Sequence, residues 1–245
     1  MPRLLNYESI FGLDTIIKHK IYIGWDSRED IAYQVCEHSI LRRTNNTNSI
    51  SVSPLKLSKL RESGHYWRGV DELGSTQFTI SRFLVPFLNQ YKGWAVFCDC
   101  DMVWLVDPSE LFNLAQSKYA VMVVKHNYEP DQKEKMDNQL QIPYPRKNWS
   151  SLVLWNCGHP KNRVLDLDTV NTQTPMFLHR FQWLEDDEIG ELTCDWNWLV
   201  GWYKEPDHGS PKILHFTLGG PWFTNTRNCE YSSVWKRELI DLYKC

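Results

Sequence analysis

The chain has 245 residues, a formal net charge of −3, seven cysteines and twelve tryptophans. This length suits one large α/β domain, and the lack of a basic stripe excludes nucleic acid as an expected partner. The first 20 residues lack the apolar centre of a signal peptide, and no apolar run reaches membrane-spanning length. We therefore predict a cytoplasmic chain without a transmembrane segment. An odd number of cysteines without repeated spacing predicts buried, reduced thiols.

Short apolar runs alternate with segments of helical spacing along the chain. The apolar runs predict strands at 21–24, 49–55, 95–98, 119–124, 150–156 and 212–216. The helical spacing predicts helices at 27–43, 78–91, 109–115 and 232–245. Ser27 and Asp30 resemble a capping box at the start of the first helix. Pro86 lies inside the second and is expected to kink or shorten it.

This alternation indicates an α/β fold with a single Rossmann-like domain, built on a doubly wound, mostly parallel sheet. We assign residues 1–20 to an N-terminal lead segment and residues 21–245 to the domain. Two long polar connections, 125–149 and 185–211, interrupt the pattern. Connections of this length inside a compact domain usually carry function.

The segment "AVFCDCDMV" places two carboxylates, Asp99 and Asp101, directly after a predicted buried strand. Residues two apart on a strand point the same way, and open α/β sheets bind ligands at the carboxyl ends of their strands. A divalent cation relieves the repulsion between two such carboxylates, and oxygen ligands favour Mg²⁺, Mn²⁺ or Ca²⁺ over zinc. An acidic, solvated turn stays open as the other interpretation. Cys98 and Cys100 are interpreted as packing residues because the sequence contains no second C-x-x-C pair or cluster of cysteine and histidine that would complete a tetrahedral zinc site.

A second motif, "KILHFTLGGPW", places His215 at a predicted strand end, followed by Gly219 and Gly220. An imidazole added to two carboxylates favours Mn²⁺ over Mg²⁺. The glycines lack side chains, so their backbone N–H groups are able to approach an anion. The alternative is an ordinary strand histidine and a glycine turn, and it too stays open.

The motifs "YIGWDS", "ISRFLVPFL", "FCDCDMVWLVDPSELF" and "HFTLGGPW" occur in the order found in nucleotide-sugar glycosyltransferases of the GT-A fold. From Ile21 to Phe223 the chain most resembles the family 8 type, which includes bacterial lipopolysaccharide galactosyltransferases and glycogenin. The resemblance implies a metal-dependent hexosyltransferase of polysaccharide biosynthesis that moves a sugar from a nucleoside-diphosphate donor, expected to be UDP-linked. The implied acceptor is a hydroxyl on a glycan, a lipid-linked intermediate or a protein.

By matching position, the resemblance also implies roles for individual residues. It implies that Asp99, Asp101 and His215 hold Mn²⁺ (or Mg²⁺) against the donor diphosphate. Donor contacts are implied at these residues: Trp25, Asp26, Ser27, Arg82, Asp99, Gly219, Gly220 and Trp222. Asp186 and Asp187 are implied near the reacting sugar and are our predicted catalytic residues, with Asp195 as a further candidate base and Glu185 ranked lower.

The chain also departs from the family pattern. The lysine that usually follows the C-terminal histidine motif is missing, so the backbone, the metal or a basic residue must meet the phosphate charge. Candidates for that basic residue are Lys125, Arg146 and Lys147. As a hypothesis, the long connections cover the acceptor, which His126, Tyr128, Trp149 and Trp196 would line.

Two rival functions remain at this stage. The segment "VFCDCDMV" also resembles the signature of haloacid-dehalogenase phosphatases, in which Asp99 would be a nucleophile and Mg²⁺ would assist. In those enzymes the motif lies on the first strand, whereas here other predicted elements precede it. The second rival is a non-catalytic carbohydrate-binding protein on the same fold, suggested by the tryptophan content.

Overall fold

The computed structural model describes residues 19–46, 49–69, 76–127, 146, 148–205 and 209–244. Its strands, in chain order, are β1 His19–Gly24, β2 Ile50–Leu55, β3 Trp94–Cys98, β4 Met102–Trp104, β5 Val121–Val124, β6 Leu152–Asn156, β7 Ile189–Leu192, β8 Trp198–Leu199 and β9 Ile213–His215. They form a six-stranded sheet in the order β2-β1-β3-β6-β5-β7 and a three-stranded sheet in the order β4-β9-β8. The predicted α/β class is confirmed.

The helices lie between these strands and are mostly short. The α-helices are α1 Asp30–Arg43, α2 Leu57–Glu62, α3 Val85–Leu88, α4 Ser109–Phe112, α5 Leu167–Thr172, α6 Pro175–His179 and α7 Ser232–Leu242. Short 3₁₀ helices lie at Ser27–Glu29, Ser81–Leu84, Trp149–Ser151, Pro160–Val164, Asp186–Glu188, Cys194–Asn197 and Thr224–Thr226.

The helix predicted at 78–91 divides into a 3₁₀ turn at Ser81–Leu84 and the short helix α3. Pro86 lies in the first turn of α3, where its missing N–H costs no hydrogen bond. The capping box expected from Ser27 and Asp30 is not formed: α1 follows Glu29, whose side chain makes no cap hydrogen bond, and the residue that caps the preceding 3₁₀ helix Ser27–Glu29 is Asp26. The Asp26 carboxylate accepts a hydrogen bond from the backbone N–H of Arg28, at 2.9 Å.

The directions of the strands in the large sheet determine which strand ends lie at the same edge of the sheet. β1 pairs in parallel with β2 and β3, and β5 pairs in parallel with β7, whereas β6 runs antiparallel to both β3 and β5. The predicted mostly parallel sheet is therefore confirmed, and β6 is the reversed strand among the six that the structure describes in it. Because two reversals restore the direction, the carboxyl ends of β1, β3, β5 and β7 share one edge, which we call the C-terminal edge. The amino end of β6 lies at the same edge.

Apolar side chains from both faces of the large sheet form the main core. The strands supply fully buried residues such as Ile21, Val96, Phe97 and Trp155. Most of the twelve indoles are buried or packed against a core cluster, which accounts for the high tryptophan content by packing. Only Trp67 and Trp202 rank among the exposed large apolar residues, with 49% and 38% of their surface exposed.

Helix α7 closes the fold against α1 through a buried carboxylate. Glu238 is 3% exposed and lies 2.5 Å from an Arg43 guanidinium nitrogen. His38 and Arg42 approach its second oxygen at 3.4 and 3.5 Å. Burying a charge is costly unless it is paired, and this cluster supplies the pairing. Among the described helices, none is both long enough and apolar enough to cross a membrane.

Candidate functional site

The two aspartates of the D-x-D motif lie in a tight turn that joins the two sheets. β3 ends at Cys98, and β4 begins at Met102. The Asp99 backbone N–H donates to the Ser151 carbonyl at 2.9 Å, and the Phe216 N–H donates to the Asp101 carbonyl at 3.0 Å. The turn is therefore held by the chain before β6 on one side and by the end of β9 on the other.

The pairing of β4 with β9 brings the third predicted ligand to this turn. Met102 lies opposite His215 in the antiparallel register, so the His215 ring faces Asp101. The Nε2 atom of His215 is 3.4 Å from an Asp101 carboxylate oxygen. One ligand atom from each of Asp99, Asp101 and His215 lies within 4.8 Å of the other two. Two carboxylates and one imidazole are a donor set that fits Mn²⁺ or Mg²⁺.

Arg82, for which the resemblance implies a donor contact, adds a buried positive charge beside these aspartates. Its guanidinium nitrogen Nη1 is 2.8 Å from an Asp99 carboxylate oxygen and donates to the Ser150 carbonyl, also at 2.8 Å. The side chain is 6% exposed, and its guanidinium lies 5.2 and 4.8 Å from the ring centroids of Phe78 and Phe97. The Arg82 charge is therefore held in one position by its contacts, unlike the charge of an exposed arginine side chain.

Asn197 orients the histidine and was missed by the sequence analysis. Its Nδ2 donates to the Ser151 hydroxyl at 2.9 Å, which turns its Oδ1 towards His215. That oxygen lies 2.8 Å from His215 Nδ1 and accepts its N–H, so Nε2 keeps its lone pair towards the aspartates. A metal-binding histidine is commonly oriented by this kind of second hydrogen bond. The only sequence signal was its place in a long connection.

Replacing Asn197 with alanine is expected to weaken Mn²⁺ binding about tenfold, because the imidazole loses the acceptor that fixes its tautomer and angle. Isothermal titration calorimetry measures this change. Asn197→Asp keeps an acceptor at the same place and should restore the affinity, while Asn113→Ala, at an exposed helix end, is the matched control. Equal Mn²⁺ affinity in Asn197→Ala and wild type, with both folded, would refute the role.

The cysteines of the motif point away from this chemistry. Cys98 and Cys100 are both buried, and the Cys100 thiol donates to a Glu29 carboxylate oxygen at 3.3 Å. Their predicted packing role is confirmed. Burial, and then the charge of Asp101, raise the pKa of Glu29 to about 8. This end of the sheet is therefore crowded with carboxylates, an environment that a divalent cation stabilises.

The turn after β1 lies at the same C-terminal edge and contains the residues predicted to meet the nucleotide base. Asp26 is fully buried and accepts hydrogen bonds from Arg28 and from the Gln77 backbone at 3.0 Å. Burial raises the pKa of Asp26, but these hydrogen bonds outweigh it and leave that pKa below its ordinary value. Trp25 is half-buried, and its indole N–H donates to Asp30 at 2.7 Å. Asp26 therefore shapes the turn, and the donor contacts predicted for Trp25, Asp26 and Ser27 remain predictions.

The glycine turn after His215 is shaped by packing. Gly219 has a φ of +104°, and its N–H donates to the Phe216 carbonyl at 2.8 Å. A Cβ at Gly220 would lie 1.8 Å from a ring atom of Trp222, so only glycine fits there. Trp222 in turn packs against Phe216 and Trp235. Donor contacts of Gly219, Gly220 and Trp222 remain predictions.

The acidic residues of the second long connection separate into two places. Asp186 and Asp187 precede β7, so they lie at the amino end of that strand; both are exposed, and Asp186 pairs with Arg146. The structure does not bring them into the aspartate–histidine cluster. Asp195 instead follows β7, in the 3₁₀ helix that also carries Asn197. Its carboxylate lies 3.3 Å from the Lys212 ammonium.

Of the residues predicted to line an acceptor, His126 and Trp149 are in contact, whereas Trp196 is buried. His126 follows β5 at the C-terminal edge, and its Nδ1 lies 2.7 Å from the Tyr203 hydroxyl. Burial, and then the nearby His215, lower the pKa of His126 to about 3, so this ring is neutral. Trp149 donates its indole N–H to the His126 carbonyl at 3.2 Å. Trp196 is 1% exposed and offers no surface to an acceptor. Tyr128 and Lys147 lie outside the described residues.

Comparisons with known proteins were made for both the fold and the sequence. The structure aligns with the glycosyltransferase GlyE of Streptococcus pneumoniae TIGR4 at a TM-score of 0.61 and 13% identity, over 93% of this chain and 62% of that one. It aligns with the galactosyltransferase LgtC, solved with donor and acceptor sugar analogues, at a TM-score of 0.57 and 9% identity, over 91% and 95% of the two chains. The bifunctional glycosyltransferase WbbM gives a TM-score of 0.57 at 16% identity over 93% of this chain, which spans only 51% of WbbM.

These alignments, together with the sheet order, define a protein of the GT-A glycosyltransferase fold. No protein-family model matches the chain. Protein CDI of Arabidopsis thaliana is 50% identical over 228 residues, which are 92% of this chain and 87% of that protein. The chain belongs to the family of Protein CDI.

Proposed function

We propose that the protein is a metal-dependent glycosyltransferase that moves a sugar from a nucleoside-diphosphate donor, expected to be UDP-linked, to a hydroxyl acceptor. The observation that carries this proposal is the cluster of Asp99, Asp101 and His215 at the C-terminal edge of a GT-A sheet. Open α/β sheets bind ligands at that edge. LgtC, which shares the fold, was solved with donor and acceptor sugar analogues, and this supports the same class of ligands here.

Each residue of the cluster has a defined part in this proposal. Asp99, Asp101 and His215 would hold Mn²⁺ or Mg²⁺. When bound, the cation supplies Lewis-acid stabilisation to the departing diphosphate without a proton transfer. Arg82 keeps a fixed positive charge beside Asp99, which attracts the donor phosphates and lowers the cost of charge on the leaving group.

The acceptor hydroxyl needs a polar group that orients it or accepts its proton. We assign this part to Asp195, because its backbone follows β7 at the C-terminal edge and lies two residues from Asn197, which contacts His215. One Asp195 carboxylate oxygen is buried without a hydrogen-bond partner among the described residues. The earlier assignment to Asp186 and Asp187 stays a prediction, and the two assignments are separable by mutation.

The test is a panel of nucleotide sugars incubated with the protein in the presence of Mn²⁺. We expect slow release of free nucleoside diphosphate from at least one UDP-sugar, and loss of that release when EDTA removes the metal. Calorimetric binding of the same donors separates binding from turnover. If no donor binds or is hydrolysed with any divalent metal, the proposal is refuted; if a donor binds but is never turned over, the non-catalytic rival replaces it.

The phosphatase rival is not favoured by the fold. Asp99 follows the third strand in chain order, and that strand lies between β1 and the reversed β6. The GT-A fold of the aligned proteins accounts for this arrangement. In addition, Arg82 lies on the Asp99 carboxylate that a phosphatase would use as its nucleophile.

A further inference from the structure

A groove lies at the end of α6, and the proposed donor chemistry does not use it. It has a volume of about 600 Å³, which is within the usual range of small-molecule sites. Its lining residues are Arg146, Phe177, Arg180, Gln182 and Leu184. Two arginines, one amide and two apolar side chains thus face the same space.

The groove is connected to the D-x-D turn by a short chain of contacts. His179, which precedes Arg180, has its Nδ1 2.9 Å from the Ser150 hydroxyl. The Ser150 carbonyl accepts a hydrogen bond from Arg82, and Arg82 contacts Asp99. Burial, and then the charge of Arg82, lower the pKa of His179 to about 3, so the His179 ring is neutral. These contacts connect Arg180, through His179, Ser150 and Arg82, to the Asp99 carboxylate.

The two arginines differ in the number of hydrogen-bond and ion-pair partners that their guanidinium groups have. Arg146 pairs with Asp186, donates to the Arg180 carbonyl and lies 5.4 Å from the centroid of the Trp149 ring. The Arg180 guanidinium makes no ion pair with an acidic side chain of the described residues. Its Nε is buried and has no hydrogen-bond partner among them. Among the described residues, one carboxylate thus faces two guanidinium groups, and Arg180 is the arginine of the groove that has no acidic partner there.

We propose that this groove is the acceptor subsite and that it binds a sugar bearing a carboxylate, with Arg180 as the carboxylate-binding group. The planar fork of arginine matches a carboxylate in shape and charge. Phe177 offers an apolar ring surface for the C–H face of a sugar, and the Gln182 amide is able to bond to a hydroxyl. A sugar acid satisfies all three features, whereas a free phosphate would use only the arginine. The inference rests on the proposed transferase function.

Binding is measured without donor or metal, so that the result does not depend on catalysis. The probes are a disaccharide that ends in glucuronate, the same disaccharide ending in glucose, and inorganic phosphate, each followed by calorimetry. We expect the glucuronyl disaccharide to bind about tenfold more tightly than the neutral one, because one charge-assisted pair is added. Equal binding of the two disaccharides overturns the proposal. Phosphate binding as tight as that of the glucuronyl disaccharide overturns it too, since the groove would then recognise only charge.

Variants assign the preference to one residue. Arg180→Gln should remove the preference for the acidic disaccharide, and Arg180→Lys, which keeps the charge but not the fork, should retain part of it. Arg163→Gln is the matched control, because Arg163 is an exposed arginine of the 3₁₀ helix Pro160–Val164 and lies outside the groove. A full preference in Arg180→Gln overturns the assignment. Thermal unfolding of each variant confirms that the proteins compared are folded.

The outcome is independent of the test of the proposed function. If the wild-type protein hydrolyses a nucleotide sugar but does not distinguish the two disaccharides, the acceptor inference fails and the transferase function stands. If it prefers the glucuronyl disaccharide but neither binds nor hydrolyses any donor, the groove is a sugar-acid site and the transferase function fails.

Discussion

Replacing Asp101 with asparagine should remove Mn²⁺ binding and lower metal-dependent hydrolysis of the donor by about 10³-fold, equivalent to about 4 kcal/mol of transition-state stabilisation. Asp101 contributes a charged oxygen to the cluster and lies 3.4 Å from His215 Nε2. The amide is nearly isosteric but has no charge, so the cluster loses half of its carboxylate charge. Calorimetry with Mn²⁺ and a nucleotide-release assay give the two readouts.

The control for this experiment is Asp168→Asn. Asp168 is an exposed residue of α5, and its substitution removes the same charge away from the cluster. It should keep both Mn²⁺ binding and nucleotide release at wild-type levels. If Asp101→Asn binds Mn²⁺ as wild type does while folded, the three residues are not the metal centre, and the D-x-D turn is only an acidic turn.

Replacing Asp195 with asparagine should slow sugar transfer by about 10²-fold, the lower range for a group that orients or deprotonates a reacting hydroxyl. Mn²⁺ affinity should change little, because Asp195 is not a member of the metal cluster among the described residues. Transfer rates at saturating donor and acceptor measure the first effect, and calorimetry measures the second. Asp187→Asn should give a smaller loss of transfer, since Asp187 precedes β7 and Asp195 follows it.

The ion pair between Asp195 and Lys212 supplies the control for a structural role. If Asp195 mattered only through this pair, Lys212→Met would slow transfer as strongly as Asp195→Asn. We expect a smaller effect of Lys212→Met. A loss of transfer that is larger in Asp187→Asn than in Asp195→Asn would restore the assignment made from the sequence and reject Asp195.

The sequence predicted five of the six strands of the large sheet, all but β7, because their runs are four to six residues long and end at polar or glycine residues. It could not predict that β6 is reversed, since an apolar run buried on both faces carries no sign of direction. The strands β4 and β8 were missed because three and two residues are too few to show a period.

The difficulty of recognising short strands also explains which residues of the candidate site were predicted and which were not. Asp99, Asp101 and His215 were proposed together because each follows or ends a recognisable strand. Asp186 and Asp195 both seemed to lie in a single loop, because β7 contains Gly190 and an exposed glutamate and does not stand out as a strand. That strand separates the two acids by its whole length. The role of Asn197 depends on its hydrogen bonds to Ser151 and His215, which are 46 and 18 residues away in the chain. Contacts between residues so far apart are not visible in the sequence.

The reversed strand β6 also has a consequence for how this fold can diversify. Because β5 ends and β6 begins at the C-terminal edge, the connection between them leaves the sheet and returns to it on the same side. Both of its attachment points hydrogen-bond beside the site: the His126 carbonyl accepts from Trp149, and the Asn148 carbonyl accepts from Ser151 at 2.6 Å. A change in the length of this connection therefore leaves the register of the strands on either side of it unchanged. The length and sequence of this connection are therefore free to diverge between relatives that keep the turn of Asp99 and Asp101.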